Sequence, residues 1–217
     1  MAYDLEEQEQ LASLQAFWKQ YGNLLSWVLI IVLGSYAGYN FWTYHQRTQA
    51  ADASSLYDEL QKSLVANDNA KVQRIAGDVQ AKFGGTAYAQ MAALGAAKGA
   101  FDANDLKTAK TQLQWVVEHG SDEYKSIAKL RLAGVLLDEK AYDAALKVLG
   151  TDFLAQFSAS VADRKGDVLV AQNKLPEARA AYVAAYAAMD KKNPGRQLVQ
   201  VKLESIGGSV ATPKAPA

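Results

Sequence analysis

The pattern of hydrophobic and polar positions divides the chain into one apolar stretch and a long helical remainder. From Gln20 to His45 there is no Lys, Arg, Asp or Glu, and Leu24 to Trp42 reads LLSWVLIIVLGSYAGYNFW. With a rise of about 1.5 Å per residue, a helix of this length covers about 28 Å, close to the thickness of one hydrocarbon core. The pattern therefore predicts a single transmembrane helix, which we place at 23–44.

Aromatic side chains mark both ends of the predicted span, where amphipathic rings favour the lipid headgroups. They are Trp18 and Tyr21 before the span and Phe41, Trp42 and Tyr44 after it. Within the span, Gly34 and Gly38 form a GxxxG pair, which lets the backbone of a second helix approach closely. Such pairs also arise by chance, so a helix contact and a chance spacing both remain open.

A cleaved signal peptide is the alternative interpretation of an apolar segment near the N-terminus. Signal peptides begin with a basic segment, whereas the tail at 1–22 carries four acids and one lysine, Lys19. We therefore favour an uncleaved anchor. Its orientation stays open, because Lys and Arg enrich the cytoplasmic flank and here Lys19 before the span is balanced by Arg47 after it.

The remainder of the chain is alanine-rich with a period of about 3.6 residues, which predicts helices. Three stretches superpose when they are centred on Leu106, Tyr142 and Leu175, at spacings of 36 and 33 residues. These spacings are close to the tetratricopeptide period of about 34 residues. We therefore expect an all-α fold in which 45–206 form a tetratricopeptide-like, right-handed solenoid of helical hairpins.

The three repeats share a pattern of small and large residues. Nine positions before each centre stands a small residue, three after stands an alanine, and seven after stands a larger residue. A small residue lets two antiparallel helices approach closely, and the larger one fills the space between hairpins. The signature residues are Ala97, Leu106, Ala109, Ala133, Tyr142, Ala145, Gly166, Leu175 and Ala178.

Turn residues support the same division into hairpins. Asn104 and Asn173 tolerate the left-handed conformation that ends a first helix, and Pro176 suits the first turn of a second helix. A more degenerate hairpin with a turn at 67–69 precedes these three. At the far end we expect a capping amphipathic helix with the apolar positions Leu198, Val201, Leu203 and Ile206, followed by a disordered tail at 207–217.

Composition narrows the range of functions. The formal net charge is +0 and no basic cluster stands out, so we expect no nucleic-acid partner. There is no cysteine, and His45 and His119 stand in separate contexts and form no metal pair. The phosphate-binding motifs GxxxxGK and GxGxxG and the nucleophile motif GxSxG do not occur. We therefore expect no enzyme activity, no cofactor and no metal.

Stacked hairpins offer a concave surface that is lined mainly by the first helix of each pair. Such a groove fits a peptide or a partner helix, with apolar anchors and with charged residues that set the register. The alternative is that the apolar members belong to the core. The candidate groove residues are Met91, Leu94, Lys98, Phe101, Ile127, Leu130, Asp138, Asp163, Asp167 and Val170.

The order of parts and several sequence strings resemble a known family. An acidic tail, one span and degenerate tetratricopeptide hairpins follow one another, and the resemblance extends from the tail to about Gly208. The matching strings are Gln112-Leu-Gln-Trp-Val-Val117, Ala128-Lys-Leu-Arg-Leu-Ala133, Val135-Leu-Leu137, Gly166-Asp-Val-Leu-Val-Ala-Gln172 and Val201-Lys-Leu203. The chain is similar to the YfgM-like ancillary subunits of the bacterial SecYEG translocon.

This resemblance implies a single-pass protein of the Gram-negative inner membrane, with its N-terminus in the cytoplasm and its repeats in the periplasm. It also implies association with the Sec translocon, with a membrane-anchored periplasmic chaperone of the peptidyl-prolyl isomerase class, and with unfolded or nascent client proteins. No catalytic residues are carried over from the family.

Two functions follow as expectations. The first is a membrane-anchored interaction module that assists protein translocation and periplasmic folding. The second is a regulatory membrane protein that sequesters a cytoplasmic signalling partner or senses a periplasmic ligand, with its acidic tail as the contact on the cytoplasmic side. Removal of the tail separates them, since only the second function depends on a cytoplasmic contact of residues 1–19.

Overall fold

The computed structural model describes residues 2–209, with side chains described from Glu7 onward. Within that range the chain is helical and has no strand, which confirms the expected all-α class. A short 3-10 turn at Ala155–Phe157 is the exception to the α-helices. The helices are α1 (Ala2–Val65), α2 (Asn69–Phe83), α3 (Ala87–Asp102), α4 (Leu106–His119), α5 (Asp122–Asp138), α6 (Tyr142–Leu149), α7 (Ser158–Ala171), α8 (Leu175–Ala188) and α9 (Gly195–Ser205).

The chain divides into two units, Met1–Ala51 and Asp52–Ala217. The apolar segment of the first unit belongs to α1, the one helix, among the described residues, that is long and apolar enough to cross a membrane. The apolar segment of this helix is not buried against other described residues, whereas the core helix of a soluble domain would be mostly buried. No atom of the described residues lies within 4 Å of where a Cβ on Gly34 or Gly38 would stand. The predicted span at 23–44 lies within this exposed part of α1.

The second unit is a stack of helical hairpins. The end of α1 packs against α2 in a shared core cluster. The following hairpins are α3 with α4, α5 with α6, and α7 with α8, before α9 closes the series. Each of four core clusters combines one hairpin with the next helix along the chain. Stability in such a stack comes from contacts between neighbouring units, as in other repeat proteins.

The small residues of the repeat signature lie at the closest helix contacts. Ala97, Ala109, Ala133, Ala145 and Ala178 are all buried, while the centres Leu106, Tyr142 and Leu175 are half-buried. A very close contact is at Gly166 in α7, which packs against the ring of Tyr182 in α8. A Cβ on Gly166 would overlap this ring, with Cζ only 2.8 Å away. Only glycine fits this position without movement of one helix.

The four hairpin turns share one conformation. Asn67, Asn104, Lys140 and Asn173 have φ values of 56°, 60°, 61° and 59°. In each turn, two amides donate to carbonyls of the preceding helix in the pattern of a Schellman motif. The Asn104 amide, for example, donates to the Phe101 oxygen at 2.8 Å. The asparagines were expected here, whereas a left-handed lysine at position 140 was not.

Two further features differ from a regular series of hairpins. The helix α6 ends at Leu149, and the loop after it is held against α5, where Lys129 Nζ donates to the Asp152 carbonyl at 2.8 Å. In α9 the expected apolar stripe was partly wrong, because Val199 and Leu203 are buried while Leu198 and Val201 are exposed. The final positions of the predicted tail, 210–217, lie outside the described residues.

The substitution Gly166→Ala tests the closest helix contact. We expect it to lower the free energy of unfolding by about 2 kcal/mol or more, because the new Cβ overpacks against the Tyr182 ring. The matched control is Gly77→Ala in α2, where a Cβ meets nothing within 4 Å. This substitution should raise the free energy of unfolding by about 0.5–1 kcal/mol, because alanine is the better helix former. Thermal and chemical unfolding of the full chain in mild detergent measures both. Equal effects of the two substitutions would contradict the assigned contact.

The substitution Lys140→Gly tests the left-handed turn. The left-handed conformation costs a residue with a Cβ about 1–2 kcal/mol of conformational strain, which glycine does not have. Part of this stabilisation is offset, because glycine loses more conformational entropy on folding. We therefore expect a stabilisation of about 0.5–1 kcal/mol, measured by the same unfolding experiments. In contrast, Lys147→Gly inside α6 should cost up to about 1 kcal/mol. A loss of stability in Lys140→Gly would show that the turn is not left-handed.

Candidate functional site

A cleft of about 440 Å³ opens among the first helices of three successive hairpins in the second unit. Its residues come from α3, α5 and α7, with one side chain from α4. The apolar part consists of the buried residues Ala97, Leu113 and Val135, together with the ring of Phe101, which is 41% exposed. The polar lining consists of Lys98, Asp102, Arg131, Asp138 and Arg164, with Gly134 between the two arginines.

The repeat pattern places these charged groups in order. Arg131 and Arg164 each stand two residues before the small residue of their repeat, and Asp102 and Asp138 each stand five residues after it. Along α5, Arg131 and Asp138 are two turns apart, which separates their Cα atoms by about 10 Å along the axis. The cleft therefore has arginine on one side of its apolar part and aspartate on the other.

Some of these charges are paired within the protein and others are not. Lys98 and Asp102 form an ion pair one turn apart on α3. Arg164 Nη1 lies 3.4 Å from Asp167 Oδ2, a long contact for an ion pair. Within the part of the chain that the structure describes, Arg131 and Asp138 make no ion pair. Their side chains are exposed and available to a ligand.

Gly134 keeps the middle of the cleft open. A Cβ at this position would meet only the guanidinium of Arg164, whose Cζ would lie 3.8 Å away. Any longer side chain would extend into the space between α5 and α7. The glycine therefore leaves room both for Arg164 and for a bound group beside it.

Asp163 and Asp167 lie in a different environment from the one expected for groove residues. Lys202 of α9 donates from Nζ to Asp163 Oδ1 and to Asp167 Oδ1, both at 2.8 Å. The Tyr182 hydroxyl donates to Asp167 Oδ1 at 2.9 Å. These bonds join α7 to α8 and α9, so both carboxylates stabilise the end of the stack and do not line the cleft.

The same network shifts two pKa values upward. Burial by itself lowers the pKa of Lys202, but the hydrogen bonds to Asp163 and Asp167 outweigh it and the net pKa is raised. For Tyr182, burial raises the pKa of the hydroxyl and the negative charge of Asp167 raises it further. Both groups are thus held in the protonated form that their hydrogen bonds require.

The other predicted groove residues are distributed between the core and its edge. Leu94 is buried in the core, Ile127, Leu130 and Val170 pack partly buried against core clusters, and Met91 is half-buried outside the cleft lining. Among the predicted set, Lys98, Phe101 and Asp138 line the cleft. Arg131, Gly134 and Arg164 line it but were missed. A signal for the two arginines was present in the sequence, because Arg131 and Arg164 are 33 residues apart and each stands two positions before the small residue of its repeat.

Metal-ligating side chains are not gathered anywhere in the residues that the structure covers, where no group of three or more His, Asp or Glu could hold an ion. The cleft itself combines an apolar part with charges of both signs. Such a combination fixes both the position and the orientation of a bound segment.

Alkaline pH should weaken the end of the stack. Both Lys202 and Tyr182 have a folded pKa above the ordinary value of 10.5 or 10.0, so their contribution to stability is complete below about pH 10 and is lost as the pH rises through the folded pKa. We expect the fall in unfolding free energy between pH 9 and 11 to be smaller in Tyr182→Phe than in the wild type. Tyr124→Phe, which removes a hydroxyl from a tyrosine outside this network, is the control. Identical slopes in all three proteins would contradict the assigned network.

Comparison with known proteins places these features in a family. A family model described as a tetratricopeptide repeat-like domain matches residues 15–208 of the chain. The chain is 34% identical to a protein of Neisseria gonorrhoeae over 95% of its length and 100% of the relative, and 31% identical to one of Haemophilus influenzae over the same shares. A protein of Escherichia coli is 31% identical over 92% of this chain and 96% of the relative. All three relatives are named ancillary SecYEG translocon subunit. No solved structure gives a significant match. The chain therefore belongs to the family of ancillary SecYEG translocon subunits and carries a tetratricopeptide repeat-like domain.

Proposed function

We propose that this protein is a membrane-anchored interaction module that associates with the Sec translocon and assists proteins as they emerge from it. The proposal is carried by one combination of features, an exposed apolar helix in the same chain as a hairpin stack with an open, charged cleft. The names of the relatives supply the translocon as the partner. The module has no catalytic step.

The proposed orientation places residues 1–22 in the cytoplasm and the hairpin stack in the periplasm of a Gram-negative cell. The charges that flank the span are balanced and do not indicate an orientation. The proposed orientation therefore rests on the family resemblance. The partners on the periplasmic side are a membrane-anchored chaperone of the peptidyl-prolyl isomerase class and unfolded or nascent clients. Gly34 and Gly38 are the candidate contact with a helix of the translocon, because glycine adds no side chain at these two positions and no described atom lies within 4 Å of where a Cβ would stand.

The anchor has a physical role in this function. A stack that is confined to the membrane near the translocon meets its partners at a high effective concentration, so a modest intrinsic affinity is enough for useful occupancy. Weak contacts also dissociate quickly, which allows a client to pass on to the next folding factor. The anchor and the cleft thus act together.

Photocrosslinking in native membranes tests this proposal. We place a photoreactive residue at Lys98, on the edge of the cleft, and as a control at Glu118, an exposed position on α4. We expect crosslinks from Lys98, identified with antibodies to the translocon subunits and to the anchored chaperone, to be several times stronger than those from Glu118.

Two results would contradict the proposal. One is the absence of crosslinks to the translocon, the chaperone or a translocating client from Lys98 and from a second cleft position, Phe101. The other is dependence of function on a cytoplasmic partner, seen if deletion of residues 1–19 abolishes such an interaction while association with the chaperone remains. That second result would favour a regulatory role.

A further inference from the structure

We propose that the cleft among α3, α5 and α7 binds an extended peptide segment in which an apolar side chain stands next to a carboxylate. This inference deepens the proposed function, on which it rests, by naming the chemistry that the module recognises in its protein partners. It is carried by the apolar part of the cleft, by an unpaired arginine beside it and by an aspartate on its other side.

The apolar part accepts one large side chain. Phe101 remains 41% exposed although its neighbours Leu113 and Val135 are buried, so a bound group would cover apolar surface that now faces water. A volume of about 440 Å³ falls within the range of small-ligand sites, about 300–1,000 Å³. Burial of a leucine or phenylalanine side chain there supplies the main favourable free energy.

The arginine side selects an acidic neighbour. Arg131 lies beside the apolar part without an ion-pair partner in the described chain, and Arg164 holds Asp167 only by a 3.4 Å contact. A guanidinium binds a carboxylate through two parallel hydrogen bonds, which gives direction as well as affinity. Asp138, two turns further along α5, repels a second acid at the opposite end. The site therefore favours one orientation of the segment.

An extended chain, and not a free amino acid, fits the surroundings of the cleft. The ion-paired residues Lys98 and Asp102 line this cleft and also a second one of about 480 Å³. The second cleft includes Leu64 and Val65, and Val65 is 85% exposed. Two adjoining clefts that share one ion pair provide a continuous path for several residues of a peptide.

The test measures binding of three blocked peptides to the full-length protein in mild detergent micelles. The peptides are acetylated, amidated and fluorescein-labelled, and they share a Gly-Ser frame around a central Asp-Leu, Asn-Leu or Lys-Leu pair. By fluorescence anisotropy we expect the Asp-Leu peptide to bind about tenfold more tightly than the Asn-Leu peptide, with the Lys-Leu peptide weakest.

Variants connect this preference to the cleft. Arg131→Glu should weaken binding of the Asp-Leu peptide by about tenfold or more and reverse the order of the Asp-Leu and Lys-Leu peptides. Gly134→Leu, which fills the cleft, should weaken all three peptides. Arg74→Glu makes the same charge change at an exposed position on α2 outside the cleft, and should bind like the wild type. Circular dichroism and thermal unfolding confirm that each variant is folded.

Equal affinity of the wild type for the three peptides overturns the inference, and so does unchanged binding in both Arg131→Glu and Gly134→Leu. These outcomes are separable from failure of the proposed function. Crosslinks from Lys98 to the translocon or the chaperone that persist while the peptide preference is absent leave the function standing and remove the inference. A clear preference for the Asp-Leu peptide without any such crosslink supports the inferred chemistry of the cleft and contradicts the translocon and the chaperone as its partners.

Discussion

The close approach of paired helices at small residues is the constraint on which the hairpin stack depends. Ala97, Ala133 and Gly166 occupy the same repeat position, and each is buried where a first helix packs in the stack. At Gly166 the contact is so close that the Tyr182 ring lies where a Cβ would stand. That closeness lets the Tyr182 hydroxyl reach Asp167 and joins α8 to the ion network of α9. The absence of a Cβ on Gly166 thus permits the close packing of α7 and α8 at the end of the stack.

The same repeat position determines which side chains meet in the cleft. In helices that repeat the same packing, residues at equal distances from the small residue come to the same side. Two positions before it stand Arg131 and Arg164, and five positions after it stand Asp102 and Asp138. The cleft is therefore not an accident of one helix but a consequence of stacking, in which neighbouring repeats each add a charged residue around a shared apolar part.

Sequence could predict the parts of this protein that depend on local or periodic signals. The apolar span, the hairpins, the buried alanines and the asparagine turns all follow from residue types at regular spacings. The cleft was predicted only in part, because whether a charge is free depends on distant partners. Asp163 and Asp167 were expected in the groove, yet their partner Lys202 stands 39 and 35 residues away. Lysine has no preference for the left-handed region, so the turn at Lys140 carried no signal either.

The distribution of paired and unpaired charges has a functional meaning. At the end of the stack, the charges are half-buried and each has a partner, as expected where removal from water is costly. In the cleft, Arg131 and Asp138 stay in water, so a ligand can bind them at a small desolvation cost and be released again. Exposed charges add selectivity and encounter rate more than affinity. In the proposed function, local concentration at the membrane supplies occupancy, so selective but weak binding lets one cleft serve successive partners.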